Sequence, residues 1–307
     1  MEVDVIIPSY RPGKEFLELL ERLSEQTVPA DRIIVMNTEK KYLDELTGGR
    51  SLKERFPKAE VYFLSKQEFD HGGTRNRAVE RCRGDIFICM TQDAVPADRR
   101  LIEKLTEALE REDVAVAYAR QLARKDSGEI EQFTRRFNYP EESSVKGKEQ
   151  MEELGIKTFF CSDVCAAYKK KIFDELGGFT EHIIFNEDMI YAAKAVRAGW
   201  KIAYAAQAKV YHSHAYSCRQ QFQRNFDNGV SQAQHPEVFS GISSESEGVR
   251  LVRNTAVYLC RAGKPWLVGK LAADCAAKYA GFFLGKRYRY LPGWVVKKCS
   301  ASRDYWK

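Results

Sequence analysis

The sequence lacks several features that would define other classes of protein. It has no run of about 18 apolar residues, and its first residues, Met1 to Asp4, are acidic where a secretory signal would be basic and then apolar. We therefore expect neither a membrane-spanning helix nor a secretory signal. The chain also has no Cys-x-x-Cys pair and no Gly-x-Gly-x-x-Gly motif, which argues against a paired-thiol metal or redox site and against a dinucleotide-binding loop.

Cysteine is present but scattered: the eight residues have no tight framework spacing. Such a pattern indicates reduced thiols and a cytoplasmic location. The closest pair, Cys161 and Cys165, could form half of a metal site, but buried thiols are the simpler interpretation.

Charge is distributed unevenly along the chain. The total is +6, yet residues 250–307 hold thirteen lysines and arginines against Asp274 and Asp304, a net charge of +11 that leaves −5 for the rest. This basic tail indicates an anionic partner, either a membrane surface or nucleic acid. With 44% hydrophobic and 12% aromatic residues, the chain can form a large core, and a disordered protein is excluded.

Short apolar runs alternate with helical patterns through the first 120 residues. This alternation is typical of a parallel sheet with crossover helices, as in nucleotide-binding α/β folds. The strands are predicted at residues 3–8, 32–36, 61–64, 85–90 and 114–118.

The rest of the chain is less regular. Residues 120–157 are polar, which favours a mobile loop over a site. Residues 236–248 are rich in Ser, Gly and Glu and predict a linker. We therefore divide the chain into an α/β domain at 1–235, this linker, and a basic amphipathic helical extension at 249–307.

A single acid follows the fourth predicted strand. Thr91-Gln92-Asp93-Ala94 comes directly after five apolar residues, so Asp93 lies at the edge where open α/β sheets bind ligands. Its carboxylate could hold Mg²⁺ or Mn²⁺ on a diphosphate, or belong to an ordinary turn. His212 and His214 follow a later strand and could add imidazole ligands, although neighbouring surface histidines often have no such role.

Three further groups have both a functional and a structural interpretation. Gly72 to Arg75 could place an arginine and a helix N-terminus near a diphosphate, or simply turn the chain into a surface helix. Glu187-Asp188 at a helix start could supply a general base, or only favour the helix dipole. Arg224 could approach a ligand or lie on a solvated helix face.

The order of these motifs is more specific than any one of them. The chain resembles the family 2 glycosyltransferases of GT-A fold over residues 3–230, through Ile6-Ile7-Pro8-Ser9-Tyr10, Thr91-Gln92-Asp93-Ala94, Gly177-Gly178-Phe179 and Asn186-Glu187-Asp188. Further segments are similar to bacterial rhamnosyltransferases of that family: Glu68 to Asn76, Tyr211 to His214, Arg219 to Gly229, Leu291 to Trp294 and Tyr305-Trp306.

The resemblance implies a role for each candidate residue. Asp188, with Glu187 beside it, would be the catalytic base. Asp93 would hold a divalent metal, Mg or Mn, which His214 or His212 would approach. Asp70 would reach a pyrimidine base, and Arg224 would close on the diphosphate. The implied donor-binding residues are Pro8, Tyr10, Asn37, Asp70, Arg75, Gln92 and Arg224.

Two positions depart from the usual family pattern. Asn37 stands where an acid usually follows the second strand, so base recognition at that position is weakened. Gln92 replaces the first acid of the common Asp-x-Asp motif. A single metal carboxylate remains, and metal affinity without bound donor is expected to be modest.

The resemblance therefore implies a metal-dependent, inverting enzyme that moves L-rhamnose from dTDP-L-rhamnose to a hydroxyl of a bacterial surface polysaccharide or lipid-linked glycan. One carboxylate base suffices, because inversion needs no covalent intermediate. The alternatives are a family 2 transferase that uses a UDP- or GDP-hexose, a sugar nucleotidyltransferase, and a non-catalytic membrane-associated scaffold. We expect a cytoplasmic enzyme, peripheral at the inner face of the membrane through its basic tail, with no nucleic-acid partner.

Overall fold

The apolar runs form one mixed sheet in the computed structural model, which describes residues 1–240 and 245–306. The strands of these residues are β1 (Val3–Tyr10), β2 (Arg32–Thr38), β3 (Ala59–Leu64), β4 (Ile86–Met90), β5 (Val95–Pro96), β6 (Val114–Leu122), β7 (Ser144–Lys146), β8 (Cys165–Lys169) and β9 (Lys201–Tyr211). All five strands predicted from the sequence are present. The sheet order is β3-β2-β1-β4-β8-β6-β9-β5, and β7 pairs with β9.

Strand direction changes within this sheet. The pairs β1–β2, β1–β4 and β2–β3 are parallel, as predicted. β8 then lies antiparallel between β4 and β6, while β6 is parallel to β9. The parallel part therefore matches a nucleotide-binding α/β fold, and the antiparallel β8 joins it to the second half of the sheet.

Helices separate the strands and dominate the C-terminal part of the described chain. They are α1 (Lys14–Ser24), α2 (Lys40–Thr47), α3 (Leu52–Arg55), α4 (His71–Val79), α5 (Leu101–Leu109), α6 (Glu129–Asn138), α7 (Met151–Leu154), α8 (Lys170–Glu175), α9 (Glu187–Arg197), α10 (Cys218–Gln234), α11 (Pro236–Phe239), α12 (Glu245–Arg261), α13 (Leu267–Lys286) and α14 (Gly293–Cys299). α1 and α5 each bury one apolar face, because their apolar residues recur every three or four positions.

The chain divides into two compact units. The first comprises Met1–Leu122, Tyr139–Glu181 and Glu187–His212 and contains the whole sheet. The second comprises Ala123–Asn138, His182–Asn186 and the described residues from Ser213 onward. Each unit has its own apolar cluster.

The second unit is built on the close pairing of α10 and α13. A Cβ at Gly281 would collide with the carbonyl oxygen of Phe222, and one at Gly285 with that of Phe226. Only glycine allows the two backbones to approach this closely. Among the described residues, no helix is long and apolar enough to cross a membrane.

The polar segment 120–157, predicted as a mobile loop over a site, contains regular structure instead: α6, β7 and α7. Phe133 of α6 stacks on Tyr258 of α12 with ring centroids 4.8 Å apart. The Tyr258 hydroxyl also donates to Glu129, 129 residues away in the chain, at 2.8 Å. The prediction of a loop overlooked that Ile130, Phe133 and Phe137 recur at helical spacing, because most of the residues around them are polar.

The segment 236–248, predicted as a linker, contains α11 and the first residues of α12. Residues 241–244 of that segment lie outside the described residues. The eight cysteines are free, and Cys161 and Cys165 are buried thiols, as expected.

Candidate active site

Three of the predicted donor-binding residues lie where β1, β2 and β4 end. Tyr10 is the last residue of β1, Asn37 is the next-to-last residue of β2, and Gln92 follows β4. The Gln92 Oε1 accepts a hydrogen bond from the Tyr10 N–H at 2.9 Å, and its Nε2 donates to the Tyr10 carbonyl at 3.0 Å. Gln92 therefore ties the segment after β4 to the end of β1. An ionised aspartate could not make both contacts, because it has no donor.

Asn37 is fully buried beside this edge. Its Oδ1 accepts a hydrogen bond from the Ser9 hydroxyl at 3.0 Å, while its Nδ2 has no partner among the described residues. A buried donor without an acceptor destabilises a protein. The position therefore suits a ligand that offers an acceptor oxygen.

Tyr10 belongs to a cluster of aromatic and cationic side chains. Tyr42 packs against it edge-on, with ring centroids 5.5 Å apart. The Arg11 guanidinium lies 4.8 Å from the Tyr42 ring centre, and the Lys66 ammonium lies 5.2 Å from that of Tyr10. Pro8 lies two residues earlier on β1 and is half-buried. Such a cluster can stack on a base and attract a diphosphate.

The Gly-Gly motif lies within the first turn of α4 and not in a turn before it. Asp70 caps this helix, since its Oδ2 accepts from the Gly73 N–H at 2.6 Å. A Cβ at Gly73 would lie 2.9 Å from that carboxylate oxygen, which favours glycine there. The structure gives Asp70 a capping contact, and its contact with a base stays a prediction.

Arg75 is buried against carboxylates. Its Nε lies 3.1 Å from Oδ2 of Asp163, and its Nη1 lies 2.9 Å from Oε1 of Glu187. Nη1 also donates to the carbonyl of His71 at 2.9 Å. The sequence does not single out Asp163, because it is an isolated acid two residues before β8. The structure thus adds an acid that sequence reasoning missed and gives Arg75 contacts within the protein.

Asp188 adjoins this cluster in the first turn of α9. Its Oδ2 accepts from the backbone N–H of Asp163 at 3.1 Å, and its Oδ1 accepts from the N–H of Met189 at 2.7 Å. Burial, and then the negative charges of Glu187 and Asp163, raise the pKa of Asp188 well above its usual value. The carboxylate is therefore held in place by two backbone donors and is more basic than an exposed one.

The three carboxylates of this cluster are not equivalent. Burial alone would raise the pKa of Glu187, but the charges of Arg75 and then His71 outweigh it, and the pKa is lowered. Burial raises the pKa of Asp163 to about 6, against the opposing charge of Arg75. One arginine cannot neutralise three neighbouring acids, so Glu187 stays ionised, while the half-buried Asp188 is the acid that most readily accepts a proton.

Asp93 and His212 lie together because β5 pairs with β9. Val95 pairs with Tyr211 in an antiparallel register, which brings the residues beyond them side by side. The Asp93 Oδ1 lies 3.6 Å from Nε2 of His212. The His212 Nδ1 lies 3.1 Å from Oε1 of Gln121, which can only accept, so Nδ1 carries a proton. A carboxylate and an imidazole oriented in this way fit a divalent cation such as Mn²⁺.

The remaining predicted site residues, His214 and Arg224, lie in the second unit and both contact Tyr216. The His214 ring stacks on Tyr216 at a centroid distance of 4.8 Å. The exposed Arg224 guanidinium lies 4.8 Å from the Tyr216 ring centre and 5.6 Å from that of Phe185. The structure therefore places His214 and Arg224 on the same aromatic side chain.

Solved structures with the same fold include glycosyltransferases. The mannosyltransferase PcManGT from Pyrobaculum calidifontis in complex with GDP-Man and Mn²⁺ matches 99% of this chain and 84% of its own, with a TM-score of 0.56 and 16% identity. TarS 1–349 of S. aureus in complex with UDP-GlcNAc matches 94% of this chain and 92% of its own, with a TM-score of 0.53 and 15% identity. At these identities the likeness shows the fold alone, which is the predicted GT-A fold.

Curated relatives are more similar in sequence. The O-antigen chain rhamnosyltransferase RfbN of Salmonella typhimurium is 37% identical over 310 aligned positions, which cover 100% of this chain and 96% of the relative. The O-antigen chain rhamnosyltransferase WbaN of Salmonella anatum is 34% identical over 307 aligned positions, which cover 98% of this chain and 95% of the relative. The model of the family "Glycosyl transferase family 2" matches residues 4–177, which is more than half of the chain. The chain therefore belongs to glycosyl transferase family 2 and is a glycosyltransferase, as its motifs predicted.

Proposed function

We propose that this chain is an inverting rhamnosyltransferase that moves L-rhamnose from dTDP-L-rhamnose to a hydroxyl of a bacterial surface polysaccharide or lipid-linked glycan. The observation that carries this proposal is the similarity to two O-antigen chain rhamnosyltransferases over nearly the whole chain. The structures solved with GDP-Man and UDP-GlcNAc share only the fold. They give less support to a GDP- or UDP-hexose as donor.

Asp188 is the proposed catalytic base. Its raised pKa suits a group that takes a proton from the acceptor hydroxyl as that oxygen bonds to the anomeric carbon. The bond between the sugar and the diphosphate breaks at the same time, and its electron pair leaves with the diphosphate. Glu187 supports this step through its negative charge, which favours the protonated form of Asp188. Because Glu187 is itself paired with Arg75 at 2.9 Å, it is the poorer base.

The donor would lie where β1, β2 and β4 end. We propose that the Asn37 Nδ2 donates to a carbonyl oxygen of the pyrimidine base, while the cluster around Tyr10 contacts the nucleoside and Arg224 the diphosphate. A divalent cation would be held by Asp93 and His212, with His214, two residues further along the chain, as the predicted third ligand. When bound, such a cation stabilises the negative charge that develops on the diphosphate.

A thermal-shift panel tests the donor. The full chain is heated with Mn²⁺ and, in separate samples, dTDP-L-rhamnose, UDP-GlcNAc, GDP-mannose or dTTP. A ligand at a hundred times its Kd stabilises by about 2.7 kcal/mol, so we expect dTDP-L-rhamnose to raise the Tm by several degrees and more than the others. A larger rise with UDP-GlcNAc or GDP-mannose contradicts the proposed donor.

The same panel separates the rival functions. A larger rise with dTTP than with dTDP-L-rhamnose would favour a sugar nucleotidyltransferase. A non-catalytic scaffold would bind donor but release no dTDP when acceptor glycan is supplied. We expect dTDP release, because the proposed base Asp188 and the neighbouring Glu187–Arg75 ion pair are both present.

We also propose that the protein contacts the cytoplasmic face of the membrane through its basic C-terminal part. The support is the net charge of +11 together with three exposed aromatic side chains, Trp266 at 70%, Tyr290 at 87% and Trp294 at 70% exposure. Each lysine or arginine near an anionic leaflet contributes about 1 kcal/mol, and tryptophan and tyrosine favour the interface. Charge of this size would also attract nucleic acid, but the chain has no nucleic-acid-binding motif.

Co-sedimentation with vesicles tests this contact. The full chain is expected to pellet with anionic vesicles at low salt, to stay in solution with neutral vesicles, and to be released by high salt. Trp294→Ser should weaken pelleting, whereas Phe63→Ser, an exposed aromatic of the first unit, should not. Equal pelleting with neutral and anionic vesicles would contradict the proposal.

A further inference from the structure

The second unit contains a large cavity, and of the residues in the proposed chemistry only His214 lies on its wall among the described lining residues. Its volume is about 1050 Å³, at the upper end of the range of about 300–1,000 Å³ found for small-molecule sites. Most of the wall area is apolar, and apolar side chains of α6, α12 and α13 contribute to it: Ile130, Leu251, Val252, Leu271, Cys275 and Phe282. A cavity of this size and composition fits an aliphatic chain better than a sugar, which needs many polar partners.

The charged side chains that line the cavity leave an excess of positive charge. Three of the four acids among the described lining residues are paired: Glu129 with Lys264, Glu131 with Arg135, and Asp274 with Lys270. Three lining cations, Arg124, Arg253 and Lys278, form no ion pair within the part of the chain that the structure describes. Only one lining acid, Asp126, remains to balance them. The cavity therefore combines apolar walls with unpaired positive charge, which suits a ligand that has both an apolar chain and an anionic group.

We propose that this cavity binds a phosphorylated lipid that carries the acceptor, with its chain against the apolar walls and its phosphate near the unpaired cations. This inference rests on the proposed function, because it names the part of the acceptor that the second unit holds. His214 lines the cavity and is two residues from His212 in the chain, so no more than roughly 7 Å of backbone separates them.

Two cysteines allow a test that does not depend on activity. Cys275 lines the cavity and is half-buried, while Cys260 on α12 is exposed and does not line it. The full chain is treated with N-ethylmaleimide in the presence of farnesyl phosphate below its micelle concentration, and labelling of each cysteine is followed by peptide mass spectrometry. We expect labelling of Cys275 to slow about tenfold when the probe is at ten times its Kd, with no change at Cys260.

Two further probes distinguish the contribution of the ligand's apolar chain to binding from that of its phosphate. Farnesol should protect Cys275 only at higher concentration, and inorganic phosphate should not protect it. Lys278→Glu should raise the farnesyl phosphate concentration for half-protection by about tenfold, while leaving protection by farnesol unchanged. Arg261→Glu is the matched control, because Arg261 is exposed and lies outside the cavity.

Three results would overturn the lipid site: unchanged labelling of Cys275 with farnesyl phosphate, equal protection by inorganic phosphate, or an equal effect of Arg261→Glu. The donor-induced Tm rise, measured on the same preparation, keeps the two proposals apart. A rise with dTDP-L-rhamnose but no protection of Cys275 removes the lipid site and leaves the transferase. Protection of Cys275 without any donor-induced rise supports the lipid site and removes the proposed donor.

Discussion

Arg75→Met removes the one arginine of the buried acid cluster and so separates two roles for this residue. The family resemblance implies that Arg75 contacts the donor, whereas the structure pairs it with Asp163 at 3.1 Å and Glu187 at 2.9 Å. Opposite charges this close attract by roughly 5 kcal/mol per pair at an effective dielectric constant of about 20. Part of this lost attraction is recovered in the variant, because the acids that no longer face Arg75 take up protons. We expect the variant to lose about 3–5 kcal/mol of unfolding free energy.

The assay is thermal unfolding with and without donor. For a chain of this size, 1 kcal/mol corresponds to roughly 2–4 °C, so the Tm of Arg75→Met should fall by roughly 6–20 °C. Arg77→Met is the matched control: Arg77 is exposed on the same helix, and its loss should change stability by less than about 0.5 kcal/mol. The Tm rise caused by dTDP-L-rhamnose and Mn²⁺ should remain.

A second variant keeps the test usable if Arg75→Met does not fold. Arg75→Lys keeps the charge but cannot reach both acids with a planar fork, so we expect a smaller fall in Tm. An unchanged Tm in either variant, together with a lost donor-induced rise, would refute the reasoning and assign Arg75 to the donor site.

Three other predictions concern the chemistry. Asp188→Asn should lower kcat about 10²- to 10⁴-fold and keep the donor-induced Tm rise. Glu187→Gln should instead lower the Tm, because it removes a partner of Arg75. If Asp188→Asn were active and Glu187→Gln inactive, Glu187 would be the base. Asp93→Asn should abolish metal-dependent donor binding with little change in the Tm of the free protein, and normal turnover at the same Mn²⁺ concentration would contradict the metal role. In the unaltered protein, kcat/KM should rise with pH through the raised pKa of Asp188, because only the ionised form accepts a proton. The midpoint of this rise should lie above the pH of about 4 expected for an ordinary aspartate. The rise should be absent in Asp188→Asn.

The sequence predicted the parts of the fold that depend on local patterns. The first five strand predictions were confirmed, because buried parallel strands are continuous apolar runs that need no distant partner to be recognised. The segments that hold Asp93 and His212 were predicted in the same way, as short polar stretches after apolar strands. Their proximity follows from the pairing of β5 with β9.

Contacts between distant segments could not be predicted. Asp163 joins the Arg75 cluster because β8 is inserted antiparallel beside β4, and nothing in the residues around Asp163 indicates that neighbour. The helical start at His71 was missed for a different reason, since two consecutive glycines usually indicate a turn. Here Asp70 caps the helix, and its carboxylate occupies the space where a side chain at Gly73 would point.

The contacts of Gln92 explain why a glutamine can replace the first acid of the metal motif. Both polar atoms of the Gln92 amide bond the backbone of Tyr10, so this side chain fixes the sheet edge next to Asp93 instead of offering a second carboxylate. The proposed second ligand beside Asp93 is then His212, whose Nδ1 lies 3.1 Å from Oε1 of Gln121. A neutral imidazole neutralises less of a bound cation's charge than a carboxylate does. The proposed site would therefore hold its cation weakly before the donor arrives, and leave more positive charge to stabilise the diphosphate once both are bound.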